Sequence, residues 1–213
     1  NNNYLPRIAK LADGSNPRSW YARSRSRVAM GILMTAAGNP MMFMGQEFLS
    51  DNSWSDNTPY FKDSILHWEG LDQDPHMRDF LKFTQDLIWL RRKHPALRSQ
   101  QFSETNGYYV HDMNRIMAYQ RYINGIGRDV IVVVSLNEST FPEYQLGFPY
   151  GLWYESFNSD YFDSMQDGRG NPWCVGNAGQ IYADGPPMDN MPSSAKIVIP
   201  ANSVLVFTRD RGD

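Results

Sequence analysis

Hydrophobic periodicity changes once along this chain of 213 residues, and the change limits the folds open to it. Up to about residue 95 apolar residues recur at helical spacing, and beyond about residue 105 they form short runs punctuated by Gly, Asn, Asp and Pro. The clearest helix is expected over 75–94. Asp74 can cap it and Pro75 suits its first position. Met77, Phe80, Leu81, Thr84, Leu87 and Ile88 fall at i, i+3, i+4, i+7, i+10 and i+11 on one stripe. Arg91, Arg92, Lys93 and His94 crowd the last turn, where cations suit the carbonyl end of the dipole, and Pro95 stops the helix. An earlier helix is predicted to start near Arg18, capped by Ser15 or Asn16 with Pro17 in its first turn. Ala29, Ile32, Leu33 and Ala36 share one face, and Gly38 ends it.

Between these helices lies Gly38-Asn39-Pro40-Met41-Met42-Phe43-Met44-Gly45-Gln46-Glu47-Phe48. The four apolar residues 41–44 are too few for a helix and suit a buried strand. Fully apolar strands usually come from parallel sheets, in which ligands meet the carboxyl ends. Gln46 and Glu47 would then stand where binding is done, although Glu47 equally suits a strand-end carboxylate paired with a cation. A long polar stretch, 49–73, follows with Trp54, Asp56, Asn57 and Trp68, and such loops are uncommon unless functional or disordered.

Beyond the second helix, strands are expected at 108–111, 115–122, 130–135, 144–148, 152–157, 195–199 and 204–208, as in an antiparallel sandwich or barrel. Residues 158–192 read as one long ordered loop. The change of period divides the chain near 98–105 into two units, 1–100 and 101–213.

Charge is nearly balanced, 20 basic against 23 acidic residues for a net −3, with no basic run, so a nucleic-acid partner is not expected. No apolar stretch is long enough to span a bilayer, and the N-terminus lacks the layout of a signal peptide. The one cysteine, Cys174, cannot form an internal disulfide, so the chain reads as cytoplasmic and reduced, its thiol inert. Aromatic residues make up 14%, many in polar, turn-rich stretches: Trp54, Tyr60, Phe61, Trp153, Tyr161, Phe162 and Trp173. Flat rings beside amides and carboxylates suit sugars, but rings also plug gaps under loops. Asp160, Asp163, Asp167 and Asn171 have the wrong spacing for a calcium loop, and no metal or cofactor is called for. Gly125-Ile126-Gly127 reads as a hairpin turn, and His67 beside Trp68 as a structural histidine.

The order of these parts resembles the end of the α-amylase superfamily barrel and the all-β domain after it. The resemblance rests on 38–48, the Trp/Asp-bearing loop, and the helix ending Leu90-Arg91-Arg92-Lys93-His94-Pro95-Ala96-Leu97. Further matches are Val130–Asn137, Tyr144–Pro149, Gly151–Asp160 and the last strand at Ser203–Phe207. Within the superfamily the chain is most similar to bacterial-type 1,4-α-glucan (glycogen) branching enzymes. The fold so implied is α+β: the final βα segment of a TIM-type β/α barrel followed by an all-β antiparallel sandwich. The implied activity is that of a retaining transglycosylase, in which one carboxylate attacks the anomeric carbon and another protonates the leaving oxygen. A 6-hydroxyl of another glucan would then accept the glycosyl group.

The family's third carboxylate lies in an Asn/Ser-His-Asp motif, which this chain lacks. Of His67, His76, His94 and His111 only the last precedes a carboxylate, in the β unit. Asn1-Asn2-Asn3 resembles residues just after that motif. The expectation is therefore the C-terminal portion of a larger enzyme, without assignable catalytic residues, whose Gln46, Glu47, Trp54 and Asp56 face an α-glucan. Its apolar faces would be covered by the missing barrel portion or by self-association. A hydrolase of the same superfamily, for example a trehalose-releasing one, and a non-catalytic glycan-binding or structural β module are the alternatives.

Overall fold

The computed structural model describes residues 6–53 and 65–212. Helices α1 (Ile8–Ala12), α2 (Trp20–Thr35), α3 (Gly70–Gln73), α4 (Pro75–Lys93) and α5 (Pro95–Arg98) precede the strands. These are β1 (Thr105–His111), β2 (Ile116–Arg121), β3 (Val130–Ser135), β4 (Phe141–Phe148), β5 (Gly151–Asn158), β6 (Gln180–Ala183), β7 (Ser193–Ile199) and β8 (Ser203–Thr208). A six-stranded sheet runs in the order β1-β2-β3-β8-β5-β6, and β4 pairs with β7 in a second sheet. Every pairing is antiparallel.

The middle of the large sheet organises everything else. All six residues of β3 and all six of β8 are buried, so this sheet must be covered on both faces. On one face Ile131, Val133, Leu205 and Phe207, with Trp153, meet Leu146, Phe148, Ile197 and Ile199 of the β4–β7 pair. On the other, Val130, Val132, Val134, Val204 and Val206 meet Val28 and Met30 of α2 and Phe80, Phe83 and Leu87 of α4. Each such side chain contributes about 1.5–3 kcal/mol on burial. The molecule thus has three layers, and one apolar cluster takes residues from both sides of 98–105. At Gly31 of α2 a Cβ would lie only 2.8 Å from Val204 Cγ2, so a residue without a side chain lets the helix meet the sheet.

α4 begins as expected, with the Asp74 side chain accepting from the His76 amide and Pro75 in the first turn. Phe83 and Leu90 are buried in addition to Met77, Phe80, Thr84 and Leu87, because the helix also packs on Phe157 and Phe162. α2 starts later than predicted. Ser19, not Ser15 or Asn16, caps it through a 3.1 Å bond from the Ala22 amide, and Pro17 lies in the preceding turn. It ends at Thr35, before Gly38, because Ala36 is already extended. Its last turn has no cation of its own, so distant guanidiniums serve its orphan carbonyls. Arg91 donates to Met34 O (2.7 Å), Ala36 O (3.0 Å) and Gly38 O (2.6 Å), while the fully buried Arg121 donates to Thr35 O (2.8 Å).

Two sequence expectations fail. Residues 41–44 are not a strand: they run irregularly and belong to neither sheet. Met41 is 80% exposed and Met44 48%, whereas a strand inside a covered parallel sheet would bury both. Residues 158–192 are not a single loop. The short edge strand β6 pairs with β5 there, and its weakly apolar sequence gave no period to read.

Candidate functional site

Gln46 and Glu47 lie in a tight corner after α2. Gly45 turns the chain at φ +87°, Gln46–Phe48 form one 3₁₀ turn, and Leu49 turns it again at φ +60°. At Gly45 a Cβ would also lie 2.7 Å from both Leu66 Cδ2 and Ser50 Cβ, so conformation and space both demand glycine. The Gln46 side chain closes the corner, since its Oε1 accepts from the Phe43 backbone N–H at 2.7 Å while the Gln46 backbone N–H donates to Phe43 O at 2.9 Å. Phe48, fully buried, packs against Trp68 with ring centroids 4.9 Å apart. Glu47 is half-buried.

Arg7 faces this corner and was not singled out in the sequence. It is nearly sealed from solvent, with its guanidinium 4.6 Å from the Phe43 ring centroid and its Nε donating to Asn52 O at 3.1 Å. Burial lowers its pKa from the ordinary arginine value, an effect that the Glu47 charge opposes. Both terminal nitrogens of Arg7 lack a hydrogen-bond partner among the described residues. Only its position ahead of the Ile8–Ala12 helix could have drawn attention to it. Trp54 and Asp56, the other two candidates, lie outside the described residues, as do Tyr60 and Phe61. The corner therefore sets the Glu47 charge near a buried cation, and no acid/nucleophile pair is assignable in it among the described residues.

The remaining sequence candidates divide by burial. Trp153 and Phe162 are core residues, the indole Nε1 of Trp153 donating to Pro149 O at 2.8 Å. Tyr161 is 41% exposed and Trp173 84%. Asp163, one of the calcium-loop carboxylates, is committed to arginines. Arg23 donates to it through Nε (3.0 Å) and Nη2 (3.1 Å), and Arg27 through Nη2 (2.8 Å). Burial pushes the Asp163 carboxyl up, but these bonds and charges outweigh it and hold the group below the ordinary carboxylate value. Among the described residues no cluster of three His, Cys, Asp or Glu side chains could hold a metal ion. His67 pairs with Glu69 at 3.2 Å on the surface. Gly125 and Gly127, at φ +78° and +70°, turn the chain between β2 and β3. No helix among the described residues is long and apolar enough to cross a membrane.

Residues 109–210 match the family described as "Alpha amylase, C-terminal all-beta domain". The chain is 28% identical over 193 residues to the 1,4-alpha-glucan branching enzyme GlgB of Myxococcus xanthus, covering 89% of this chain and 24% of the relative. It is 31% identical over 176 residues to the enzyme of the same name from Mycolicibacterium paratuberculosis, covering 79% and 22%. Among solved structures, a pullulanase from Bacillus acidopullulyticus superposes with a TM-score of 0.63 at 20% identity, over 94% of this chain and 22% of that one. An Anoxybacillus pullulanase complexed with maltotetraose gives 0.61 at 22%, over 95% and 26%. The chain spans about a quarter of the length of the curated relatives it matches. The chain is thus similar in its β part to α-amylase C-terminal all-β domains and, over nearly nine-tenths of its length, to 1,4-α-glucan branching enzymes.

Proposed function

We propose that this chain is the C-terminal portion of an α-glucan branching enzyme, a transglycosylase that makes α-1,6 branches in glycogen-like glucan. One observation carries the reading: similarity to branching enzymes extends over 89% of the chain, so it takes in the helical layer as well as the β domain. In this reading residues 1–100 are the last part of a β/α barrel and 101–213 its C-terminal domain. Segment 41–44 would be the final barrel strand of the longer enzyme, paired with neighbouring barrel strands. The exposed Met41, Met44 and Leu11 would then meet the rest of the barrel or a second copy.

Gln46, Glu47, Trp54 and Asp56 would follow the carboxyl end of that strand, where barrel enzymes hold their substrates. Arg7 would hold the corner electrostatically from beneath. The acids that attack and protonate the glycosidic bond would come from outside this chain, and the reaction would take place in the cytoplasm. The pullulanase likeness carries the fold alone, so it does not separate branching from hydrolysis.

Turnover of amylose tests the division of labour. The 213-residue chain by itself should release no product and form no branch, because a retaining pair of carboxyl groups about 5 Å apart is not assignable in it. Amylose turnover by the chain alone, abolished by Glu47→Gln, would overturn the reading.

A further inference from the structure

On the side of α4 away from α2, a solvent-open groove of about 1010 Å³ separates the C-terminal half of α4 from β5 and the loop before β6. Its volume is at the upper end of the ~300–1,000 Å³ range of small-molecule sites. Asp86, Trp89 and Lys93 recur at i, i+3 and i+7, so they share one face of α4 and form one wall. Tyr154 on β5 and Tyr161 on the following 3₁₀ turn add rings from two further elements. Trp89 is 55% exposed and lies off the buried stripe of α4. No packing demand explains a ring of that size there.

The groove is built rather than incidental. A bulge between Glu155 and Phe157 breaks the alternation of β5: Trp153 lies in the sandwich core, whereas Phe157 turns to the helix-side core. Such bulges re-aim side chains beside functional sites. The far wall is pinned to the strand by Glu155, whose carboxylate accepts from the Asn177 amide (2.8 Å) and side chain (3.1 Å), and by Asn158, which donates to Val175 O at 2.9 Å. Gly176 permits this closeness, since a Cβ there would lie 2.7 Å from Asn158 Nδ2. Arg92 lies over the Trp89 ring at 4.6 Å and Arg211 over Tyr154 at 5.0 Å, which orients both rings.

Charges of both signs line the groove, Asp86 and Glu155 against Lys93 and Arg211, so it suits neither a polyanion nor a polycation. Flat rings with mixed polar groups between them fit an uncharged, hydroxyl-rimmed ligand. We infer that this groove is an auxiliary binding site for a linear α-1,4-glucan, separate from the corner at Gln46 and Glu47. The inference rests on the proposed branching-enzyme reading for the identity of its sugar. Such a site would hold a polymer chain on the enzyme while its end is processed elsewhere.

Isothermal titration of the 213-residue chain with maltoheptaose, with cellohexaose as a control, tests this. Maltoheptaose should bind and cellohexaose should not. Trp89→Ala should weaken binding roughly 10-fold, the order expected for one stacked ring, with an unchanged melting temperature. Tyr154→Ala should weaken it too. Phe102→Ala, which removes another exposed ring beside the opposite edge strand β1, should leave it unaltered. Maltoheptaose binding insensitive to Trp89→Ala, or equal binding of cellohexaose, would overturn the site while leaving the branching reading intact. Self-association of the chain that Trp89→Ala abolishes would assign the groove to a second copy and overturn it as well. The branching reading fails separately, on the products made by the longer enzyme.

Discussion

Arg27 of α2 and Asp163, in the loop after β5, are joined by a 2.8 Å ion pair whose arginine side chain is only 3% exposed. Arg23, one turn earlier on the helix, completes the arrangement with two bonds to the same carboxylate. Residues 140 apart in sequence thereby fix the helical layer to the β domain at a point where neither charge can be left alone. Removing one partner of such a buried pair costs about 3–5 kcal/mol, since the other charge stays buried. Asp163→Ala should lower the unfolding free energy by that order in urea melts, and a loss under 1 kcal/mol would show that the network is incidental.

The same group sets an acid limit. The Asp163 pKa is lower folded than unfolded, so the unfolded chain binds more protons as the pH falls. Its stabilisation is fully present above the unfolded value, near 3.8, and is lost as the pH drops through the lower folded value. The stability gap between the wild type and Asp163→Asn should therefore shrink as the pH falls below about 4. Burial raises the values for Asp79 and Asp160 and the Asp163 charge adds to both, so in Asp163→Asn these two carboxyls should titrate lower than in the wild type.

Packing of α2 on the sheet gives a sharper test at Gly31. In an exposed helix Gly→Ala gains about 1 kcal/mol. Here the new Cβ would lie 2.8 Å from Val204 Cγ2 in a fully buried central strand that cannot yield. Gly31→Ala should destabilise the protein, and the helix-propensity gain should return in a Val204→Ala background. Simple additivity of the two changes would mean that the layers do not meet as described.

Cys174 offers a chemical check on the wall of the groove. Burial, reinforced by the Asp160 and Glu155 charges, pushes its thiol pKa up to about 12. Iodoacetamide at pH 8 should leave it unmodified in the folded chain and alkylate it readily in urea, where a free thiol titrates near 8.5. Equal rates in the two states would contradict the placement of the 174–179 loop.

Much of this fold could be read from the sequence, and the failures have physical causes. Helix α4 was legible because its cap, its proline and its stripe all agree, and β3 and β8 because long Val-rich runs have few other uses. Segment 41–44 misled because its residues carry a strand pattern, yet the backbone there is irregular and Met41 and Met44 are exposed. The site was only half legible. Gln46 and Glu47 stand out after the glycine, but Arg7 has no local signature, since its burial depends on Phe43 and Asn52 across the corner. The Trp89–Tyr154–Tyr161 groove depends on a β-bulge that no periodicity announces.

The proposed branching activity is tested most directly by product analysis of the longer enzyme that this reading implies, with amylose as substrate. Proton NMR of the polymer should show new α-1,6 linkages with almost no rise in reducing ends. Release of reducing sugar or trehalose without new α-1,6 linkages would contradict the assignment and make the protein an α-glucan hydrolase.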